Sequence, residues 1–226
     1  MNMYDKHASD KQNFVDFWQS VVLKNIPEAK FAFKNESKLM RFLSHIVSLY
    51  SPGFMSHITT ALGNTIYFPT KDFLESNYTG CLKIVAHEFV HLYERKRDKP
   101  VVFELRYLFP QVLVLFSLLS FLSFISLWFM IFIVFLVALV PGIPAPFRAQ
   151  YELAGYTMNL YYSYRGQPLN KIISQEASEI AGIFTGSWYY WMARDRQLIA
   201  SMLVDRYERF PDSHPAFIEV AQWLKT

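Results

Sequence analysis

The residues best suited to chemistry lie in one short segment, which reads His87-Glu88-Phe89-Val90-His91. Two histidines four positions apart project from one face of a helix, so both imidazoles can reach a single Zn²⁺ at about 2.0–2.1 Å. Glu88 lies at the flank of that face, where its carboxylate can contact a metal-bound water without binding the metal itself. The segment predicts a zinc site with His87 and His91 as ligands and Glu88 as general base.

Such a site needs a third protein ligand, and no histidine closely follows His91. Glu152 is the first candidate, because it begins a predicted helix in which Ala154 and Gly155 are small enough to allow close packing on the first helix. A first-turn glutamate also has an ordinary role, since it favours the helix dipole. The alternative ligands are Glu176, ranked second, and then Glu179 and Glu104.

With these residues the chain resembles the gluzincins, zinc metallopeptidases that carry HExxH on one helix and a ligating glutamate on a later one. The apolar segment between the two parts of the site is similar to that of membrane-embedded members typified by the CAAX prenyl proteases. The resemblance covers roughly residues 65–164, and it implies a zincin-like fold, a bound zinc ion and hydrolysis of peptide bonds. Those membrane families have an aspartate four residues after the ligating glutamate, where this chain has Tyr156.

Peptide hydrolysis also needs a hydrogen-bond donor for the negative charge that develops on the carbonyl oxygen. The candidates are Tyr156, Arg148 and His214, of which Tyr156 ranks first. An extended peptide substrate is expected to add to an edge strand, which is predicted at residues 65–68.

Helical patterns surround both parts of the proposed site. The HExxH segment lies in a helix predicted over residues 79–97, which is capped at Asn77 or Thr79 and stopped by Pro100. A second helix is predicted over residues 148–164 and carries Glu152. Two helices packed against each other would therefore have to supply all three ligands.

The N-terminal part is predicted to contain two helices and a β-hairpin. Apolar residues recur at helical spacing over residues 10–25 and 36–50. Two β-rich runs then flank a tight turn at Gly63-Asn64, and Pro69 indicates that the second run, residues 65–68, is an edge strand. The fold class expected from these patterns is α+β and mainly helical, with a small antiparallel β-hairpin.

Composition limits the partners that the chain can have. It has 226 residues, 52% of them hydrophobic, a single Cys and a formal net charge of +3. The hydrophobic content excludes a disordered chain, the single Cys excludes a disulfide-stapled scaffold, and the small charge argues against nucleic acid as a partner.

The apolar residues are concentrated in residues 112–140, which carry no charge and in which serines at positions 117, 120, 123 and 126 are the polar residues. A run of this length is typical of a membrane-embedded segment, and the alternative is a buried hairpin of core helices. The chain is therefore divided into an N-terminal part (1–110), a hydrophobic membrane-embedded insertion (111–146) and a C-terminal helical part (147–226). The last part is predicted to have two or three amphipathic helices after Leu169.

The insertion must return to the side that it left, because a single crossing would separate Glu152 from the two histidines. This requires a helical hairpin, and Lys and Arg residues near both of its ends place those ends on the cytoplasmic side. Two α-helical arms of about 14 residues would each extend about 21 Å, less than the ~30 Å hydrocarbon core. The hairpin is expected to dip into the bilayer, unless residues 101–108 lengthen its first arm.

Two function classes follow. The first is a membrane-associated zinc metallopeptidase that acts on a peptide or protein substrate from the cytoplasmic side of a lipid bilayer. The second is a non-catalytic membrane-inserting or assembly protein that retains a zincin-like zinc site.

A few other residues are predicted to have lesser roles. The run Trp188–Trp191 fits either an aromatic belt at the membrane surface or a packed core. Cys81 is expected to be an inert buried thiol in a reducing compartment. His45 and His57 are expected to be structural.

Overall fold

Helices make up most of the protein, and a small three-stranded sheet accompanies them in the part of the chain that the structure describes. The structure is a computed structural model that describes residues 3–48, 53–139, 143–186, 192–212 and 214–225. The predicted α+β, mainly helical fold class is confirmed.

The described elements follow one another without a repeat. In chain order the α-helices are α1 (Met3–Phe17), α2 (Lys38–Val47), α3 (Lys71–Ser76), α4 (Tyr78–Asp98), α5 (Pro100–Leu108), α6 (Pro146–Tyr164), α7 (Lys171–Phe184), α8 (Arg196–Glu208) and α9 (Pro215–Trp223). The strands are β1 (Lys30–Phe33), β2 (Thr60–Leu62) and β3 (Thr65–Phe68). A π-helical segment (Trp18–Leu23) continues α1, and two 3-10 helices (Gln111–Phe124 and Leu127–Leu139) lie between α5 and α6.

Helix α4 carries the predicted metal-binding segment. It begins after Asn77, whose side-chain oxygen accepts a hydrogen bond from the Gly80 N–H at 2.9 Å and so satisfies a donor that the first turn leaves unpaired. Its last turn contains a run of three basic residues, which suit the negative end of the helix dipole. α4 ends at Asp98, within one residue of the prediction, and Pro100 begins α5.

The sheet contains a strand that the sequence analysis did not predict. Its order is β1-β3-β2, with β1 parallel and β2 antiparallel to β3. The predicted hairpin of β2 and β3 is present, and its turn uses Gly63 at φ +61°, a conformation that glycine adopts without strain. β3 is the central strand, so the predicted edge strand at residues 65–68 is wrong.

The missed strand β1 and the wrong assignment of β3 as an edge strand have the same cause. Strand β1 has four residues, too few for a clear alternating pattern, and its partner β3 lies more than 30 positions later in the chain. Pro69 follows β3 directly, where its missing N–H removes no bond from the ladder. Because both edges of β3 are paired, the predicted addition of a substrate to this strand is withdrawn.

Helix α6 packs along α4 and contributes to two hydrophobic cores. The first core lies among α1, the sheet, α4 and α9, and its fully buried rings are Phe17, Phe68, Phe89 and Phe217. The second lies among α6, α7 and α8, and its buried side chains include Leu153, Ile173, Phe184 and Leu203. The pair of helices α4 and α6, which would hold the site, is thus held in place by the two cores.

The apolar segment folds back on itself as a hairpin of two 3-10 helices. The first arm (Gln111–Phe124) and the second arm (Leu127–Leu139) meet at Ile125 and Ser126, and the rings of Phe116 and Phe135 lie 5.3 Å apart across the pair. The helices that flank the hairpin, α5 and α6, pack on each other. The chain therefore returns to the place that it left.

The arms are longer than the α-helical estimate, because a 3-10 helix rises about 2.0 Å per residue. Arms of 14 and 13 residues then extend about 28 Å and about 26 Å. Among the described residues no single helix is both long and apolar enough to cross a membrane, whereas α5 and the first arm together meet both conditions. They are bent by 88°, so α5 does not lengthen the first arm.

Most of the large side chains of the hairpin are exposed. Exposure is greatest near its tip, where Phe124, Leu127 and Trp128 are 82%, 81% and 85% exposed. The serines take the opposite side, since three residues per turn bring positions 117, 120 and 123 to one face, and Ser117 is buried. The Ser117 and Ser120 hydroxyls donate to the carbonyls three residues earlier, so these polar groups are satisfied within the arm.

The remaining predictions have mixed outcomes. Trp188–Trp191 lies outside the described residues. Cys81 is buried as predicted, and burial raises the pKa of its thiol to about 11, which makes the reactive thiolate scarce. His45 and His57 are exposed; His45 Nδ1 lies 2.8 Å from the Arg41 carbonyl oxygen.

Candidate metal centre

Helices α4 and α6 bring the three predicted ligands together. His87 Nε2 and His91 Nε2 are 3.1 Å apart, and Glu152 Oε2 lies 3.5 Å from the first and 4.0 Å from the second. All three residues are buried, His87 being the most exposed at 8%. Within the described part of the chain, these residues form a group that could hold a metal ion.

The arrangement fits a metal ion by two criteria. Two ligands about 2.0–2.1 Å from one ion at a tetrahedral angle lie about 3.3–3.4 Å apart, close to the observed separations. Glu152 Oε2 is also buried and has no hydrogen-bond partner among the described residues. A buried carboxylate oxygen in that state is unfavourable, and coordination of a metal would remove the cost.

The neighbouring charges keep Glu152 in the form that binds metals. Burial by itself would raise the pKa of Glu152, but the adjoining imidazole of His87 and the charges of His91 and Arg148 outweigh burial and lower the pKa to about 2. Burial would lower the pKa of His91, yet nearby carboxylates, first that of Glu94, raise it to about 9. Glu152 is therefore ionised, as a metal ligand must be.

Gly155 allows α6 to approach α4 closely enough for these contacts. A Cβ atom at this position would lie 2.6 Å from both Nε2 and Cε1 of His87, well inside van der Waals contact. The small residue predicted to permit close packing is therefore required by the imidazole of a ligand.

Each histidine has a partner for its second ring nitrogen. His91 Nδ1 lies 3.5 Å from Glu94 Oε2, and Glu94 Oε1 lies 3.3 Å from His214 Nε2. His214 Nδ1 accepts a hydrogen bond from the Ala216 N–H at 3.2 Å, so its own proton lies on Nε2 and faces Glu94. Such contacts fix the orientation of metal-binding imidazoles and raise their basicity.

The partner of His87 is an amide. Asn159 Nδ2 lies 3.1 Å from His87 Nδ1, and Asn159 Oδ1 is buried without a hydrogen-bond partner among the described residues. Rotation of this amide by half a turn would let Oδ1 accept a proton from Nδ1 when Nε2 binds a metal. One histidine is thus supported by a charged group and the other by a neutral group.

Glu152 is held by a residue from outside the helix pair. The Tyr107 hydroxyl, on α5, donates a short hydrogen bond to Glu152 Oε1. The Arg148 guanidinium lies over the Tyr107 ring, 5.1 Å from its centroid. This contact fixes one carboxylate oxygen and leaves Oε2 directed toward the histidines.

Glu88 lies beside the ligands, as its place in the motif predicts. Burial raises its pKa, and Glu152 adds to this, while the two histidines and Lys34 oppose the shift without cancelling it. Lys34 is itself fully buried, and its Nζ donates to the Phe54 carbonyl at 2.7 Å. A carboxylate with a raised pKa can both take up and return a proton near neutral pH.

The alternative third ligands are engaged elsewhere. Glu104 accepts a hydrogen bond from Arg95 Nε at 2.9 Å. Glu176 accepts from the Tyr164 hydroxyl and lies 3.6 Å from Lys83 Nζ. Glu179 is exposed and accepts from the Gln175 amide at 3.2 Å. Among the glutamates weighed from the sequence, the described structure brings Glu152 to the histidines.

The three candidate donors for the carbonyl oxygen lie in different places. The Tyr156 ring meets the His87 ring edge to face, with centroids 4.9 Å apart. Arg148 lies over Tyr107. His214 contacts Glu94, which in turn contacts His91. Tyr156 is therefore in contact with a ligand, while His214 reaches the site through another side chain.

Four contributing residues were not predicted from the sequence: Glu94, Asn159, Tyr107 and Lys34. Two of them carried a usable signal, because Glu94 follows His91 by three positions and Asn159 follows Glu152 by seven, both spacings that return to the same helix face. Tyr107 and Lys34 come from other elements, and no local spacing connects them with the ligands.

A cavity of about 360 Å³ lies on the other side of Glu94, between α4, α6 and α8. Its lining includes Glu94, His214 and Arg206, but none of the three ligands. It is therefore separate from the candidate metal centre. No family model, curated protein or solved structure matches the chain.

Proposed function

We propose that the protein is a membrane-associated zinc metallopeptidase of the gluzincin type, with His87, His91 and Glu152 as zinc ligands. The observation that carries the proposal is the buried three-donor group, in which Glu152 Oε2 has no hydrogen-bond partner among the described residues. Structural zinc sites are usually closed by four protein ligands, whereas three ligands leave a position for water or substrate. The three donors found in the described residues favour catalysis over a purely structural zinc site.

Zinc bound at this site would supply Lewis-acid chemistry, which acidifies water and polarises a carbonyl group. Glu88 takes the proton of the attacking water and returns it to the leaving amine, for which its raised pKa is suitable. Tyr156, which lies against the His87 ring, donates a hydrogen bond to the carbonyl oxygen. The Tyr107 hydroxyl holds Glu152 in place during the reaction.

The hairpin supports the membrane part of the proposal. Its exposed side chains are apolar and its arms extend about 28 Å and about 26 Å, close to the thickness of the hydrocarbon core. Since both arms end beside α5 and α6, the catalytic part lies on one side, and the flanking cations favour the cytoplasmic side. The hairpin then enters the bilayer and returns.

Two substitutions in the full chain, reconstituted into vesicles, test the assignment. Glu88→Gln should keep one zinc per chain and reduce hydrolysis of an unfolded protein substrate about 10²–10⁴-fold, because a general base is lost and the ligands are not. His91→Ala should lose zinc and activity together. Zinc content is measured by elemental analysis, and hydrolysis by the appearance of new amino termini.

Glu75→Gln, on α3 and away from the site, is the matched control and should retain both zinc and activity. Far-UV circular dichroism establishes that each variant is folded. A Glu88→Gln variant with wild-type activity, or a folded His91→Ala variant with a full complement of zinc, would overturn the proposal.

A further inference from the structure

Helix α5 exposes an apolar face outside the hairpin. Its side chains Val101, Leu105 and Leu108 are 70%, 51% and 48% exposed, and Val102 and Phe109 extend the same face. At 100° per residue these positions fall within one side of the helix. A face of this kind is unusual on a surface that meets only water.

The opposite face of α5 reaches the metal site. Phe103 is buried, its ring stacks on Tyr107 at 5.6 Å and lies 4.8 Å from the ring of Tyr151. Tyr107 then donates its hydroxyl to Glu152. One short helix therefore carries an exposed apolar face on one side and the support of a candidate metal ligand on the other.

The orientation of α5 indicates what covers its outer face. Two residues separate the end of α5 from the first hairpin arm, which is bent from α5 by 88°. If the arms point into a bilayer, α5 lies along its surface. Phe147, where the chain leaves the hairpin, is 47% exposed and its ring lies 5.9 Å from that of Phe109, so the apolar face of α5 is continuous with both ends of the hairpin.

We propose that the outer face of α5 lies in the interfacial layer of a phospholipid bilayer, and that this contact, through Tyr107, holds Glu152 in its metal-binding position. The inference rests on the proposed membrane association, and it adds that the bilayer regulates the metal site. Tyr107 is then a positioning residue, which joins the membrane surface to the site. Amphipathic helices commonly lie in the interfacial layer with their apolar side in the lipid.

The first experiment locates α5. A polarity-sensitive fluorophore is attached at Leu105→Cys, in a Cys81→Ser background, with Leu198→Cys on α8 as the matched control, since Leu198 is 55% exposed. In vesicles that contain brominated phospholipid, the probe at position 105 should be quenched and shifted to the blue, and the probe at position 198 should not. An unquenched, water-like spectrum at position 105 overturns the inference.

The second experiment measures the coupling. Zinc affinity of vesicle-bound protein is determined by competition with a chelator for Leu105→Gln, Tyr107→Phe and the double variant. Each single change should weaken zinc binding about tenfold, as loss of a residue that supports a ligand does. The double variant should be no weaker than Tyr107→Phe, because both changes act through one contact. Leu198→Gln should bind zinc as the wild type does.

Zinc affinity is independent of hydrolysis, so the two proposals fail separately. Unaltered zinc binding in folded Leu105→Gln, or additive losses in the double variant, overturns the role of α5 and leaves the peptidase assignment intact. Wild-type hydrolysis in Glu88→Gln, with the coupling still present, would overturn the catalytic assignment and retain the membrane-linked metal site.

Discussion

The globular part and the hairpin use apolar and polar residues in opposite ways. In the globular part the large apolar side chains form two buried cores, and the polar residues that are buried with them, such as Lys34 and Glu94, have side-chain or backbone partners. In the hairpin most of the large apolar side chains are exposed, and the hydroxyls of Ser117 and Ser120 bond to carbonyls of their own arm.

The high hydrophobic content of the chain therefore does not measure the size of its buried core. An unpaired polar group is costly in either environment. The two regions differ in what surrounds the apolar groups, which is other side chains in one region and, as we propose, lipid in the other. Glu152 Oε2 and Asn159 Oδ1 are buried without a hydrogen-bond partner among the described residues, and both lie at the candidate metal centre.

Charges in the middle of the two hairpin arms test this difference most strongly. Leu118→Asp with Ile133→Asp, at positions that are 57% and 50% exposed, should reduce binding to vesicles by about 10³-fold or more, because each aspartate costs about 2.5–3.5 kcal/mol near the centre of a bilayer. Binding is measured by flotation on a density gradient.

The control is Leu39→Asp with Phe42→Asp on α2, at positions that are 48% and 65% exposed in the globular part. These changes should leave flotation unaltered. If both pairs floated like the wild type, the hairpin would have no special relation to lipid and the contrast between the two regions would be lost.

A smaller effect is expected from crowding the helix pair. Gly155→Ala would place a Cβ 2.6 Å from the His87 ring, so the ring must shift and zinc affinity should fall about 10–100-fold. Vesicle binding should be unchanged, since the hairpin is not involved. Zinc affinity is measured by chelator competition.

Gly182→Ala on α7 is the matched glycine, because its added Cβ would lie 3.5 Å from Arg196, an ordinary contact. It should bind zinc normally. Equal affinities for both alanine variants would mean that the close approach of α6 to His87 is not needed for the site.

A buried charge near the sheet should make the stability of the fold depend on pH. Burial lowers the pKa of Lys34 from 10.5 to about 7, against the attraction of Glu88. Between these values the unfolded chain binds more protons than the folded protein, so the free energy of unfolding should rise with pH from about 7 to about 10.5, by at most about 1.4 kcal/mol per pH unit.

Below pH 7 both states hold the proton and this contribution to the slope vanishes. Urea unfolding of the wild type and of Lys34→Met, followed by circular dichroism across this range, isolates the slope. Lys30→Met, which removes an exposed lysine from the start of β1, should keep it. A Lys34→Met variant with the wild-type slope would show that the buried ammonium is not its source.

Local patterns were sufficient for the parts of the site that lie on one helix. The helix that carries His87 and His91 was predicted to within one residue at each end, because its caps and apolar spacing are local features. The predicted helix over residues 148–164 similarly corresponds to α6, which begins two residues earlier at Pro146. Local patterns failed for β1, because its four residues are a strand by virtue of their pairing with β3.

The hairpin was predicted from the two halves of the site and the apolar length between them. The chain does turn back, but the predicted arms were α-helical, and 3-10 arms extend further for the same number of residues. The 88° bend at the end of α5 was not visible in the sequence, since residues 101–108 and the first arm are both apolar and helical.

The sequence by itself determined the donor types, the spacing of the two histidines, the place of Glu88 beside them and the long uncharged segment. The tertiary structure decided that Glu152, rather than Glu176, joins the histidines, and that Tyr107, Asn159 and Glu94 support the three ligands. The reason is the distance along the chain over which each kind of interaction acts. Helical periodicity acts over a few residues, whereas which helix faces meet depends on how the whole chain packs, down to the absence of one Cβ at Gly155.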